Sequence, residues 1–283
     1  MNDWLSMLLL VLLAVAIIAL GWWLLIATEG VYLGRRVVVW LYDLFADRYD
    51  RVKNYYREYE HMYLAQPVME RIAPHRSPLV LDVATGTGRL PLALLRHAHF
   101  QGRVIGLDLS RRMLRQAARN LYIFDDRVTF IWGSAENLPF PNDTFDVVTC
   151  LEALEFMVRP QIVLGELARV LRPGGLLLVS QRINTRLMPG KVWSSGQILE
   201  LLAECGIQDA QAQIWQVDYR KVWGYKAGSS PVTGGRPLAE VLRCPRCRAQ
   251  ILEQREQTWL CGNCGARVYT GADGVIEMYP LER

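Results

Sequence analysis

Leu79-Val80-Leu81-Asp82-Val83-Ala84-Thr85-Gly86-Thr87-Gly88-Arg89-Leu90-Pro91-Leu92-Ala93-Leu94-Leu95 is the stretch from which the fold of this 283-residue chain is read. Residues 79–83 are a short apolar run of the kind a fully buried parallel strand shows, and 84–88 form a glycine-rich turn. Residues 89–95 pattern as a helix, in which Pro91 is tolerated only near the first turn, where a backbone N–H is not needed. The helix N-terminus therefore lies beside the glycines, with its free N–H groups and positive dipole end facing them. Glycine at such a turn lets a ligand come within van der Waals distance of the backbone. A dinucleotide fingerprint would want a third glycine where Pro91 stands, which disfavours a pyrophosphate cradle. The next expected strand, 103–108, ends in Asp108, about twenty residues after the turn, where a carboxylate bonds ribose hydroxyls. Together these features fit a nucleoside ligand without a pyrophosphate.

Further motifs follow in order: Gly106-Leu107-Asp108-Leu109-Ser110 with Met113-Leu114, Gly133-Ser134-Ala135-Glu136-Asn137-Leu138-Pro139-Phe140, Phe145-Asp146-Val147-Val148, and Arg169-Val170-Leu171-Arg172-Pro173-Gly174-Gly175. With the glycine turn, this series resembles the class I S-adenosylmethionine (SAM) methyltransferases, nearest the branch of ubiquinone/menaquinone C-methyltransferases, from about Tyr49 to Lys226. The resemblance implies an α/β, doubly wound Rossmann-like sheet with an antiparallel edge hairpin, and SAM as cofactor. It implies that Ala84, Thr85, Gly86, Thr87 and Gly88 hold the methionine part, that Asp108 bonds the ribose, and that Ser134 and Ala135 edge the adenine. Asp82, Leu109 and Leu151 complete the cofactor-binding set. The Tyr-Asp pair resembling Tyr49-Asp50 sits, in the family, in a lid over SAM. The family commonly has an acidic or amide residue where Ser134 stands; this departure keeps open a non-catalytic SAM-binding scaffold.

Toward the N-terminus, residues 4–28 contain no charged residue and are dominated by Leu, Ile, Val, Ala and Trp. At ~1.5 Å per residue they span ~35 Å as a helix, enough for a bilayer core. A cleaved signal peptide is the alternative, but it needs a basic n-region and a shorter apolar core. Arg35, Arg36, Arg48, Arg51 and Lys53 follow the run and no Lys or Arg precedes it, which predicts a single-pass protein of the cell membrane with its bulk in the cytoplasm. From 31 to 63 aromatic residues alternate with charges, as in amphipathic helices that pack on the domain or cap the site from the membrane surface.

Beyond the glycine turn, helices are expected over 111–122, 160–171 and 195–205. Strands are expected over 128–132, 145–150 and 176–182, with an edge hairpin of 210–217 and 221–226. In such a sheet the acceptor faces the loops after the fourth and fifth strands. Glu152 and Glu155 follow the fourth strand and are the candidate general bases, with Tyr49 a further catalytic candidate; helix-exposed glutamates would read the same way. His75, His97 and His99 read as surface residues, whereas His61 is the histidine able to reach the cleft.

Cys244-Pro245-Arg246-Cys247 and Cys261-Gly262-Asn263-Cys264 are two Cys-x-x-Cys knuckles at zinc-ribbon spacing, suited to a closed structural Zn²⁺ site. Disulfides are disfavoured, because a pair within one knuckle is strained and a cytoplasmic module stays reduced. The chain divides into a transmembrane helix (1–28), an aromatic helical lid or connector (29–75), a methyltransferase domain (76–226), a linker (227–240) and a zinc ribbon (241–283). The ribbon is expected to be independent, so that chelation leaves SAM binding intact. A net charge of +4 with no long basic run gives no nucleic-acid stripe. A tether in the membrane favours a lipophilic acceptor, such as a quinone precursor or other lipid, entering between 40–63 and the loop 183–195 with Leu187, Met188, Val192 and Trp193. An RNA or protein acceptor, or a partner bound through the ribbon, is the alternative.

Overall fold

β1 (Leu79–Val83) is buried along its whole length because it lies between two parallel neighbours, β2 (Arg103–Asp108) and β4 (Phe145–Cys150). Its side chains alternate between two cores: Leu79, Leu81 and Val83 enter one, and Val80 the other. The first core takes Val163, Leu164 and Leu167 of the helix Pro160–Val170 and Ile198 and Leu202 of the helix Ser195–Glu204. The second takes Leu90, Ala93 and Leu94 of the helix Arg89–Leu95 with Leu114 and Ala117 of the helix Arg111–Asn120. This is the doubly wound, three-layer arrangement expected for the chain. The computed structural model describes residues 3–50, 57–183 and 188–279; Arg51, Lys53, Tyr55, Tyr56 and Leu187 lie outside the described residues.

β3 (Val128–Trp132) pairs parallel with β2, and β5 (Leu171–Arg182) parallel with β4. β6 (Ile207–Ile214) and β7 (Tyr219–Lys226) form the antiparallel hairpin, with β7 against β5. Two boundaries differ from expectation. β5 begins at Leu171 rather than 176, since the helix ends at Val170 and the chain through Pro173-Gly174-Gly175 already runs beside β4 across a register shift. The hairpin strands start earlier and turn at 215–218.

The C-terminal module continues this sheet. β8 (Glu253–Arg255), β9 (Thr258–Leu260), β10 (Arg267–Thr270) and β11 (Ile276–Glu277) follow one another, and β11 pairs parallel with β3 through Ile276 opposite Ile131. The order is β6-β7-β5-β4-β1-β2-β3-β11-β10-β9-β8. The ribbon also shares the first core: Val241, Leu242, Trp259 and Val268 cluster with Leu138 and Phe140. The expectation of an independent ribbon behind a free linker is thus revised. Within 227–240, Thr233 and Gly234 donate their N–H groups to the Asp146 carboxylate at 2.8 and 3.0 Å. Arg172 Nε bonds the same carboxylate at 2.6 Å.

At the other end, α1 (Asp3–Trp22) runs on through a π turn to Ala27. Residues Trp4–Ala27 are long and apolar enough to cross a bilayer, and none is buried within the protein. The chain then reverses through Gly30 and Gly34, both at positive φ, into α2 (Arg35–Phe45), with Tyr32 stacked on Trp23 at 5.0 Å.

Candidate functional site

The carboxyl ends of β1, β2, β3 and β4 open into one cavity of about 1200 Å³ that extends to solvent. Its floor is the glycine turn. Gly86 has φ +56 and a Cβ there would meet nothing within 4 Å, so this turn faces open space; at Gly88, φ +85, a Cβ would lie 2.5 Å from Leu121 Cδ1. The first glycine leaves room for a ligand and the second lets helix pack on helix. Asp108 ties the turn to the next strand: Gly86 N–H donates to one carboxylate oxygen at 2.8 Å and Ser110 N–H to the other at 2.8 Å. The Leu109 N–H is a third backbone donor to this carboxylate. Burial raises the Asp108 carboxyl above its ordinary value, opposed by these N–H donors.

Asp82, 3% exposed, accepts from Thr149 Oγ1 and Thr85 Oγ1, each at 2.6 Å. Burial pushes its carboxyl up to about 6 against the lowering effect of the two hydroxyls. Of the other residues expected to bind cofactor, Ala84, Thr85, Gly86, Thr87, Leu109, Ser134, Ala135 and Leu151 all line the cavity. Gly88 does not; it caps the helix Arg89–Leu95 in the left-handed conformation.

The catalytic candidates separate. Tyr49 and Glu152 line the cavity. Glu152 holds φ +51, an unusual value for a residue with a side chain, and its carboxylate bonds Arg89 at 2.5 Å and Gln216 at 3.1 Å. Glu155 does not line it: 4% exposed, it accepts from Tyr219 Oη and stands 3.5 Å from Arg182. It is therefore not the helix-exposed glutamate that its spacing suggested. Burial raises its carboxyl. His61 stacks on His97 at 5.1 Å, beyond the far end of the helix Arg89–Leu95, and is not in the cavity.

The roof comes from the aromatic segment, whose capping of the site was one of its two expected roles, and from the loop after β4, which carries no sequence signature for the site. α2 contributes Arg35, Val38, Val39 and Tyr42, and the loop after β4 contributes Phe156, Met157 and Val158. Tyr42 meets Phe156 edge-on at 5.9 Å and Tyr49 at 6.0 Å, forming an aromatic cover. Two carboxylates fasten it down: Asp43 accepts from Ser110 Oγ at 2.6 Å, and Asp50 from Thr87 Oγ1 at 2.5 Å and Asn120 at 2.8 Å. At the rim Glu136 bridges Arg35 at 3.7 Å and Arg159 at 2.7 Å. Glu136, two residues past the short Ser134, is the carboxylate on the β3 edge that the sequence reading passed over. By contrast Met188, Val192 and Trp193 of the loop 183–195 do not line the cavity, and the expected entry beside them is corrected: Met188 is fully buried, and the Trp193 carbonyl is held by Gln181 at 2.7 Å.

A second cluster lies in the ribbon. The sulfurs of Cys244, Cys247, Cys261 and Cys264 all lie within 4.8 Å of one another, with Cys244 to Cys264 at 3.6 Å and Cys247 to Cys261 at 3.5 Å. A tetrahedron with Zn–S of about 2.3 Å has edges of about 3.8 Å, so the four thiols fit a tetrahedral metal. A hydrogen bond from Asn263 lowers the Cys247 thiol, while burial raises the Cys244 thiol beside it.

A methyltransferase-domain family model matches residues 80–175. The chain is similar to the ubiquinone/menaquinone biosynthesis C-methyltransferase of Roseobacter denitrificans, 34% identical over 53% of this chain and 60% of that protein, less than two thirds of its length. The demethylmenaquinone methyltransferase of Porphyromonas gingivalis is 30% identical over 61% of this chain and 72% of its own. In fold it is similar to a SAM-dependent methyltransferase structure from Methanococcus maripaludis, TM-score 0.54, 17% identical, covering 67% of this chain and 95% of that one.

Proposed function

We propose, from the premise that this chain belongs to the class I SAM-dependent methyltransferases, that it is anchored in the cell membrane by residues 4–28 and methylates a lipophilic acceptor. The observation that carries this reading is the cavity itself, whose floor is glycine turn and carboxylates while its roof is Val38, Val39, Tyr42, Tyr49, Phe156 and Met157. Polar groups below suit a charged nucleoside and an aromatic, aliphatic roof suits an apolar acceptor.

In this reading the backbone of Ala84 to Thr87 holds the methionine part of SAM, Asp108 the ribose hydroxyls, and Leu109, Ser134 and Ala135 the adenine, with Leu151 alongside. Asp82 supplies negative charge to a cationic ligand. SAM, when bound, brings a methyl group on a sulfonium, ready for in-line displacement. The chain's contribution is to orient both reactants and exclude water, for which effective molarity is the dominant gain. Glu152, which lines the cavity and is bonded by Arg89 and Gln216, is in this reading the candidate to take a proton from the acceptor. Cys244, Cys247, Cys261 and Cys264 hold a structural Zn²⁺. The arginines after α1 support a cytoplasmic catalytic domain, where SAM and reduced thiols are found.

The test is transfer of label from methyl-labelled SAM by the purified full chain to isolated membranes. Label entering the organic-extractable fraction is the expected outcome; label only in RNA or protein overturns the lipophilic acceptor.

A further inference from the structure

α2 is apolar on two faces. Its inner face, Val38 with Tyr42, closes the cavity, and Leu41 is buried beside it. Its outer face is exposed among the described residues: Trp40 is 58% exposed, Leu44 55%, and Leu33, in the turn before it, 44%. Trp40 and Leu44, four residues apart on α2, share one face, and Leu33 is exposed in the turn that leads into it. Soluble surfaces seldom expose such a face without something to cover it.

Three observations identify the cover. First, seven residues separate Ala27, the end of the apolar helix, from the start of α2. Those residues form a tight reversal in which a Cβ on Gly30 would touch Leu41 and Val37 at 3.0 Å, so α2 is packed against the turn that leaves the bilayer. Second, Trp23 at the end of that helix stacks on Tyr32, and Tyr42 of α2 donates to Glu29 at 2.7 Å, which fixes α2 to the interface end of the anchor. Third, α2 opens on two exposed arginines, Arg35 and Arg36. Apolar face, tryptophan and leading arginines are the composition of a helix that lies in an anionic membrane interface.

We propose that α2 is a membrane-interface helix, seated through Leu33, Trp40 and Leu44 in the lipid boundary of an anionic leaflet, and that it thereby sets the mouth of the cavity against the bilayer. This rests on the membrane-anchored reading above and supplies its missing route. The rim is built from Arg35 on α2, Glu136 after β3, and Val158 with Arg159 before the helix Pro160–Val170. One wall of the cavity is then itself in contact with lipid, and an acceptor with a long apolar chain reaches the site beside α2 without leaving the membrane.

The test uses the full chain in nanodiscs of phosphatidylcholine and phosphatidylglycerol. Trp40 is replaced by the photoreactive amino acid benzoylphenylalanine, with Tyr269, 53% exposed on the ribbon, replaced likewise as control. Mass spectrometry should find phospholipid adducts at position 40 and none at 269, while both variants bind SAM as wild type does. Trp40→Glu together with Leu44→Glu, both outside the cavity, should leave SAM affinity unchanged and lower label transfer to the organic-extractable fraction by at least about fivefold. Absence of lipid adducts at 40 in a variant that binds SAM overturns the proposal, even if label still enters lipid. Adducts at 40 with label found only in protein or RNA uphold the surface and overturn the lipophilic acceptor.

Discussion

Asp108 and Asp82 occupy the same cavity but do different work. Asp108 is pre-engaged by the backbone N–H groups of Gly86, Ser110 and Leu109 and lines the cavity, so Asp108→Ala should remove ligand bonds and also loosen the glycine turn. Bonds to a charged acceptor are worth roughly 1.5–3 kcal/mol each, which predicts SAM binding weakened at least about tenfold by calorimetry. Asp82 carries the pH dependence. Its carboxyl titrates at about 6 because it is buried. A cationic ligand favours the ionised form, so affinity is present above that value and lost as pH falls through it. Between pH 7 and pH 5 the SAM dissociation constant should rise by about tenfold, and Asp82→Asn should flatten the profile. In the ligand-free protein the sign is opposite: a raised carboxyl favours folding below its unfolded value, and that contribution is lost as pH rises through about 6. A flat affinity profile in the wild type would remove Asp82 from the ligand's charge environment.

At the scale of elements, the helix Arg111–Asn120 joins the cavity to the ribbon. Its N-cap, Ser110, follows Asp108 and Leu109, and its first residue, Arg111, bonds Asp273 at 2.7 and 2.8 Å and Glu277 at 3.0 and 3.1 Å. Asp273 draws the Arg111 guanidinium further up. The pair is partly exposed, so screening reduces its worth, and Arg111→Ala should cost about 1–2 kcal/mol, read as a lower Tm. None of this partnership shows in sequence pattern. β11 is two residues long, too short for any alternation, and its pairing with β3 depends on the ribbon core meeting Leu138 and Phe140. By contrast β1, the glycine turn and the helix Arg89–Leu95 were legible to the residue, because backbone sterics at glycine and proline act locally.

For the whole molecule, one sheet runs from the edge hairpin through the strands that open into the cavity to the ribbon that carries the four cysteines. Chelation in the full chain should therefore weaken SAM binding by about fivefold or more, the lower end of ordinary coupling energies, and SAM should slow metal loss to the chelator by reciprocity. Unchanged SAM affinity after metal loss would restore the ribbon as an independent module. Topology is checked separately: a reporter enzyme fused at the C-terminus should behave as cytoplasmic in intact cells.

What the sequence determined by itself were the features whose physics is local or periodic. The strand and glycine turn at 79–88, the apolar helix of 4–27 and the two Cys-x-x-Cys knuckles each follow from side-chain spacing along a few turns of chain. What tertiary structure alone decided were burial and partnership between distant segments. Glu152 and Glu155 lie three residues apart, yet one faces the cavity beside Arg89 and the other is sealed under Tyr219 and Arg182. His61 was drawn to His97 rather than the cleft, and Phe156 and Met157 of the loop after β4 joined the roof, because each outcome depends on which apolar surfaces meet when the layers close.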